Sequence, residues 1–100
     1  MASVEPLAEL SGEPHANVFP GSEPTTIRLR LDAGERVEPH DHPDRHVVVY
    51  LIEGEIEMHL GSETYDLDAG DAVRFDGDQA ISPVATADST ALVLLAEKTE

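Results

Sequence analysis

Turn signals recur along this chain about every 8 to 12 residues, and no stretch between them sustains a helical period. That spacing leaves room for short strands and little else. Thr25-Thr26-Ile27-Arg28-Leu29-Arg30-Leu31 alternates, with Ile27, Leu29 and Leu31 on one face and the arginines on the other, as in a half-buried strand. Asp32-Ala33-Gly34-Glu35 follows as a turn. Residues 47–52 read Val-Val-Val-Tyr-Leu-Ile, a β-branched run apolar on both faces, which predicts a central strand. Glu53-Gly54-Glu55 breaks the run, and Ile56-Glu57-Met58-His59-Leu60 alternates again. Gly61-Ser62 supplies a two-residue hairpin turn, and Thr64-Tyr65-Asp66-Leu67 begins the return. Asp68-Ala69-Gly70-Asp71 and Asp76-Gly77-Asp78 are turns on either side of Ala72-Val73-Arg74-Phe75, and Ala91-Leu92-Val93-Leu94-Leu95-Ala96 closes as a last strand. The pattern predicts an all-β sandwich or barrel.

One domain accounts for the 100 residues. Residues 1–24 hold Pro6, Pro14, Pro20 and Pro24 with Gly12 and Gly21 between them, and read as an extended arm with at most one or two edge strands. Residues 25–100 carry the barrel. No apolar run approaches the ~18 residues a membrane helix needs. The start lacks a basic segment followed by an apolar one, so no signal peptide is expected. Absence of cysteine excludes disulfides and thiolate zinc sites, and suits a cytoplasmic protein.

The chemistry concentrates in histidine. Four of the 5 histidines lie between positions 40 and 59, and three of them, His40, His42 and His46, fall within one short stretch. On a strand, residues two apart share a face, so His40 and His42 form half of a site for Zn, Fe, Cu, Ni or Mn. Two solvent-exposed polar residues beside Asp41 and Asp44 are the plain alternative. Gly34, five residues, His40-Asp41-His42, and an apolar strand ending at Gly54 together resemble the first motif of the cupin family. Leu67-Asp68-Ala69-Gly70-Asp71-Ala72-Val73 looks like the opening of the second. The resemblance spans about residues 25 to 96 and implies a double-stranded β-helix, a jelly-roll cupin barrel, with histidines lining its interior.

Two departures from the family pattern bear on function. The acid of the first motif is missing: counting forward from His42 gives His46, and counting back from Gly54 gives Val47. One residue flips a strand side chain to the opposite face. If His46 points inward it is a third ligand; if Val47 does, His46 points away, and a bulge at Pro43 would decide. The late histidine of the second motif falls on Ile81, flanked by Ala80 and Ser82, and Gln79 is the residue that could reach toward the site. The expected metal ligands are therefore His40, His42 and His46. His59 alternates with Met58 and Leu60 and is expected on the polar face, while His15, in the arm, is expected in solvent. Arg28 and Arg30 are expected to pair across strands with Glu55 and Glu57.

Two functions follow from the resemblance. One is a metal-dependent enzyme, an oxygenase or isomerase acting on a small molecule, with a divalent transition-metal ion as cofactor. The other is a non-catalytic cupin that binds or senses a small ligand, with metal absent or structural. The sequence offers no nucleophile with an adjacent base, so catalysis would rest on the metal. The expected partners are a small molecule and, as in many small cupins, a second copy of the chain, with the arm laid across the partner's sheet.

Charge narrows the partners further. Asp plus Glu number 21 and Lys plus Arg 6, for a net charge of −15, so nucleic acid would be repelled. The basic residues are nearly all arginine, with Lys98 the single lysine. Such surfaces suit salty cytoplasm, because at about 1 M salt the screening length is about 3 Å and self-repulsion is muted. A halophilic source is expected. Thermal melts should accordingly rise from low to molar salt; a flat profile would overturn that assignment.

Overall fold

The computed structural model describes residues 2–98. A single 3-10 turn, Leu7–Glu9, precedes the strands β1 (His15–Asn17), β2 (Thr25–Leu31), β3 (Arg45–Glu53) and β4 (Glu55–Leu60). After them come β5 (Glu63–Asp68), β6 (Ala72–Asp76), β7 (Ile81–Ala85) and β8 (Ser89–Glu97). The larger sheet runs β1-β2-β8-β3-β6 and the smaller β5-β4-β7, with every pairing antiparallel. Facing each other, the two sheets form the all-β double-stranded β-helix that the alternation and turn spacing imply. β8 lies between β2 and β3, so Val93 stands opposite Ile27 on one side and Val49 on the other.

Alternation places the core. Leu29 and Leu31 of β2, Val47, Val49 and Leu51 of β3, Ile56, Met58 and Leu60 of β4, Leu67, Phe75, Ile81, Ala85, Ala91 and Leu95 all turn into the space between the sheets. Burial of each large apolar side chain contributes about 1.5–3 kcal/mol. Gly54, between β3 and β4, has φ +95°, and a Cβ there would collide with Ser89 and the Asp88 carbonyl. Only glycine fits that corner. Ser89 Oγ accepts the Glu55 amide across it at 3.0 Å.

One strand, β7, is not among those the alternation predicts. Ile81-Ser82-Pro83-Val84-Ala85 contains a proline, which reads against a ladder. Its position resolves the conflict. Ile81 and Ala85 exchange backbone bonds with the 34–40 segment, and Pro83 accepts the Val37 amide at 3.0 Å. The missing amide therefore faces that irregular segment, while Ser82 and Val84 alternate toward β4.

Within the chain the arm lies on its own sheet: β1 pairs with β2, and Arg30 donates its amide to the Pro14 carbonyl at 2.8 Å. The arginines depart from expectation. Arg28 is fully buried. Its Nη1 donates to the Leu7 and Leu10 carbonyls at 2.7 and 3.2 Å, and its Nη2 to Gly12 at 2.7 Å. Arg30 meets Glu13 at 3.6 Å. Glu55 and Glu57 belong to the other sheet and are out of reach of both.

Arg28→Met would leave three carbonyls without their charged donor, at about 1–3 kcal/mol for a buried acceptor stranded. A loss of about 2 kcal/mol in urea denaturation is expected, with faster proteolysis ahead of His15. An arm as protease-resistant as the wild type's would show that Arg28 does not anchor it.

Candidate functional site

The sheets enclose a cavity of about 340 Å³, open at one end. Ile27, Leu29, Val47, Val49, Met58, Phe75, Ile81, Pro83 and Val93 form apolar walls, and His15, His40 and His42 line its mouth with Glu38 and Pro39. At about 30 Å³ per water-sized volume, this space fits a molecule of roughly ten non-hydrogen atoms. It lies at the small end of ligand pockets.

Each mouth histidine is held by a different part of the chain. His40 sits on the segment that runs beside β7: it donates its amide to Ile81 at 3.1 Å and receives the Ile81 amide at 2.7 Å. Its Nδ1 lies 3.0 Å from the Glu38 carbonyl. A carbonyl only accepts, so Nδ1 carries the proton and Nε2 keeps its lone pair. Glu38 turns its carboxylate to Arg36, 3.5 Å away, and not to the cavity. His42 donates its amide to the Gly77 carbonyl at 2.9 Å, and Gly77 in turn donates to Arg45 at 2.9 Å. The two rings meet edge to face, with centroids 4.8 Å apart and planes at 86°.

The expectation for His46 is corrected. Val47 and Val49 line the cavity, so strand alternation sends His46 to the opposite face of β3. There its Nδ1 accepts from Arg74 at 3.3 Å. Asp44, just after Pro43 and just before β3, has φ +62°, and the pairings with β6 and β8 fix the strand's register. Ile81, where the resemblance places the late histidine, does face inward. Gln79 turns to its own loop, donating to the Asp76 carbonyl at 2.8 Å. His59 faces outward with Thr64 and Glu57, 3.2 and 3.4 Å away.

His15 is the residue that the sequence reading missed. It remains largely exposed, yet it stands on the cavity's rim. Proline-rich surroundings hid it, because nothing local says which sheet the arm joins. Partial burial lowers its pKa below the usual imidazole value, and the neighbouring His40 lowers it further. His42 is lowered too, first by burial and then by His40, with Asp41 opposing. Both rings are thus favoured neutral at neutral pH, the form that offers a lone pair. Among the described residues, no three histidine, cysteine, aspartate or glutamate side chains stand as a ready-made ion cage.

A family model described as a cupin domain matches residues 27–96. Among solved structures, that of KdgF from Halomonas sp. is similar with a TM-score of 0.73 and 23% identity, over 85% of this chain and 80% of that one. The cupin domain of an XRE-family transcriptional regulator from Enterobacter cloacae gives 0.77 and 23%, over 85% and 96%. A protein described as a predicted oxalate decarboxylase from Thermotoga maritima gives 0.67 and 22%, over 74% and 66%. At such identities these likenesses show the fold alone. No curated protein matches the chain.

Gly77 is the support of the mouth most open to test. A Cβ there would strike the His42 carbonyl and crowd that of Arg45. Gly77→Ala should cost about 2 kcal/mol in urea denaturation and shift the amide resonances of His42 and Arg45. Unchanged resonances would show that the loop absorbs the methyl.

Proposed function

This chain belongs to the cupin family, and on that premise we propose that it binds a divalent transition-metal ion through His40 and His42. A compact, largely apolar molecule would be held beside the ion in the cavity. The observation that carries this reading is the pair of imidazoles at the mouth of an apolar hollow, 4.8 Å between centroids, with the His40 tautomer set by the Glu38 carbonyl. A ring nitrogen tied to a backbone carbonyl is the usual support of a metal-bound histidine. Imidazole donors suit Fe, Mn, Zn, Ni and Cu. When bound with open positions, such an ion supplies oxygen activation or polarisation of a carbonyl or enolate oxygen, the chemistry of an oxygenase or isomerase.

The chain's own residues have separate tasks on this reading. Val47, Val49, Phe75 and Ile81 exclude water and grip the apolar body of the occupant. His40 and His42 hold its polar end through the ion. At 22% identity, the likeness to a protein described as a predicted oxalate decarboxylase does not carry that substrate here.

A second reading has its own support. Ile81 stands in the cavity where the resemblance expects an imidazole, and with Val47 it makes the interior more apolar. A non-catalytic module that binds or senses a small ligand would need no ion. Both readings go with a cytoplasmic setting and a second copy of the chain as partner. Among the described residues no helix is long and apolar enough to cross a membrane.

Metal analysis after refolding with Fe, Mn, Zn, Ni and Cu separates the two. The first reading expects near-stoichiometric loading by at least one ion, and an affinity at least tenfold lower in His42→Ala. Less than about 0.1 ion per chain would leave only the ligand-binding reading.

A further inference from the structure

We propose that His15, delivered by the N-terminal arm, is the third protein ligand of the metal site, so that the ion sits among His15, His40 and His42. This rests on the reading that His40 and His42 bind metal. It adds a ligand from outside residues 27–96, which the family model matches.

Strand register carries the argument. His15 stands directly opposite Leu29, and Ala16 opposite Arg28. Directly opposed residues of an antiparallel pair share a face. Leu29 lines the cavity, so His15 faces the cavity too, while Ala16 and Arg28 face the arm. The imidazole is thereby placed at the same mouth as His40 and His42.

Among the described residues, no other donor competes for the place. The positions that the resemblance assigns to further ligands hold Val47 or the outward His46, and Ile81. Glu38 turns its carboxylate to Arg36. Asp41 lines a shallow outer groove with Asp78 and Gln79. Among the described residues, His15 alone brings a third lone pair to the opening. The three rings ring the mouth without yet forming one coordination sphere. Rotation about χ1 sweeps an imidazole through several ångströms, and on this proposal the ion draws the His15 ring inward. Three protein ligands would match the number that catalytic sites with an open position use.

Titration of the full chain with Co²⁺ and Cu²⁺ tests this, using the wild type, His15→Ala, His15→Cys, His42→Ala and His46→Ala. His15→Ala should bind Co²⁺ at least about tenfold more weakly, and His46→Ala should match the wild type. Pulsed EPR on the Cu²⁺ form should count three coupled imidazoles in the wild type and two in His15→Ala. His15→Cys should show a thiolate-to-Co²⁺ charge-transfer band, which disturbance of the arm cannot produce. Wild-type affinity in His15→Ala beside loss in His42→Ala would overturn the third ligand and keep the pair. Weakened binding in His15→Ala without the thiolate band in His15→Cys would overturn it as well, since a displaced arm then accounts for the loss. A wild type that binds neither ion would end the metal reading altogether.

Discussion

A guanidinium taken out of water must find acceptors, and Arg28 finds three carbonyls sixteen to twenty-one residues back along the chain. Hydrogen bonds from a charged donor contribute about 1.5–3 kcal/mol each, and a buried charge left without them is far more costly. Among the described residues no carboxylate pairs with Arg28, so the arm's backbone carbonyls compensate the charge. A segment with four prolines would otherwise have little reason to adopt one conformation. Held at Leu7, Leu10 and Gly12, the chain reaches β2 in the register that opposes His15 to Leu29. The composition of the cavity's mouth thus depends on a contact made on the far face of the sheet.

The cavity depends on a second constraint, strand parity. Val47, Val49 and Leu51 point between the sheets, so His46, Val48 and Tyr50 cannot. A left-handed residue, Asp44, directly precedes β3, and aspartate tolerates that conformation better than most residues. Just beyond, Lys98 bridges Asp76 and Asp78 at 2.6 and 2.7 Å, which fastens the end of β8 to the turn that carries Gly77. The mouth is therefore held from three sides: the arm, the 34–40 segment and the 76–79 turn.

Much of this was legible in the sequence because it is local. Alternation in residues 25–31 and 56–60 and the apolar run at 47–52 gave strands in their observed places, and Gly54 marked a corner where no side chain fits. The resemblance gave the family and the pairing of His40 with His42 at one opening. What could not be read is what depends on distant partners. Pro83 argued against β7 because its missing amide counts only until one knows that it faces the 34–40 segment. The two counts around His46 and Val47 differed by one residue, and only the pairing of β3 with β6 and β8 settles them. Arg28 looked like a surface cation until the arm covered it, and His15 looked like a solvated residue for the same reason.

The four outer strands differ in how they meet the surroundings. β1 is three residues long, and Pro14 stands just ahead of it. β7 is screened by the 34–40 segment. β5 presents Glu63, Asp66 and Asp68, whose like charges repel a copy of themselves. Among the described residues that leaves β6, where Ala72, Val73 and Arg74 offer an unpaired backbone row between acidic flanks. Runaway stacking of sheets is thus discouraged on three borders, and any continuation of the larger sheet into a neighbouring molecule would be confined to one seam and stop after a single joining.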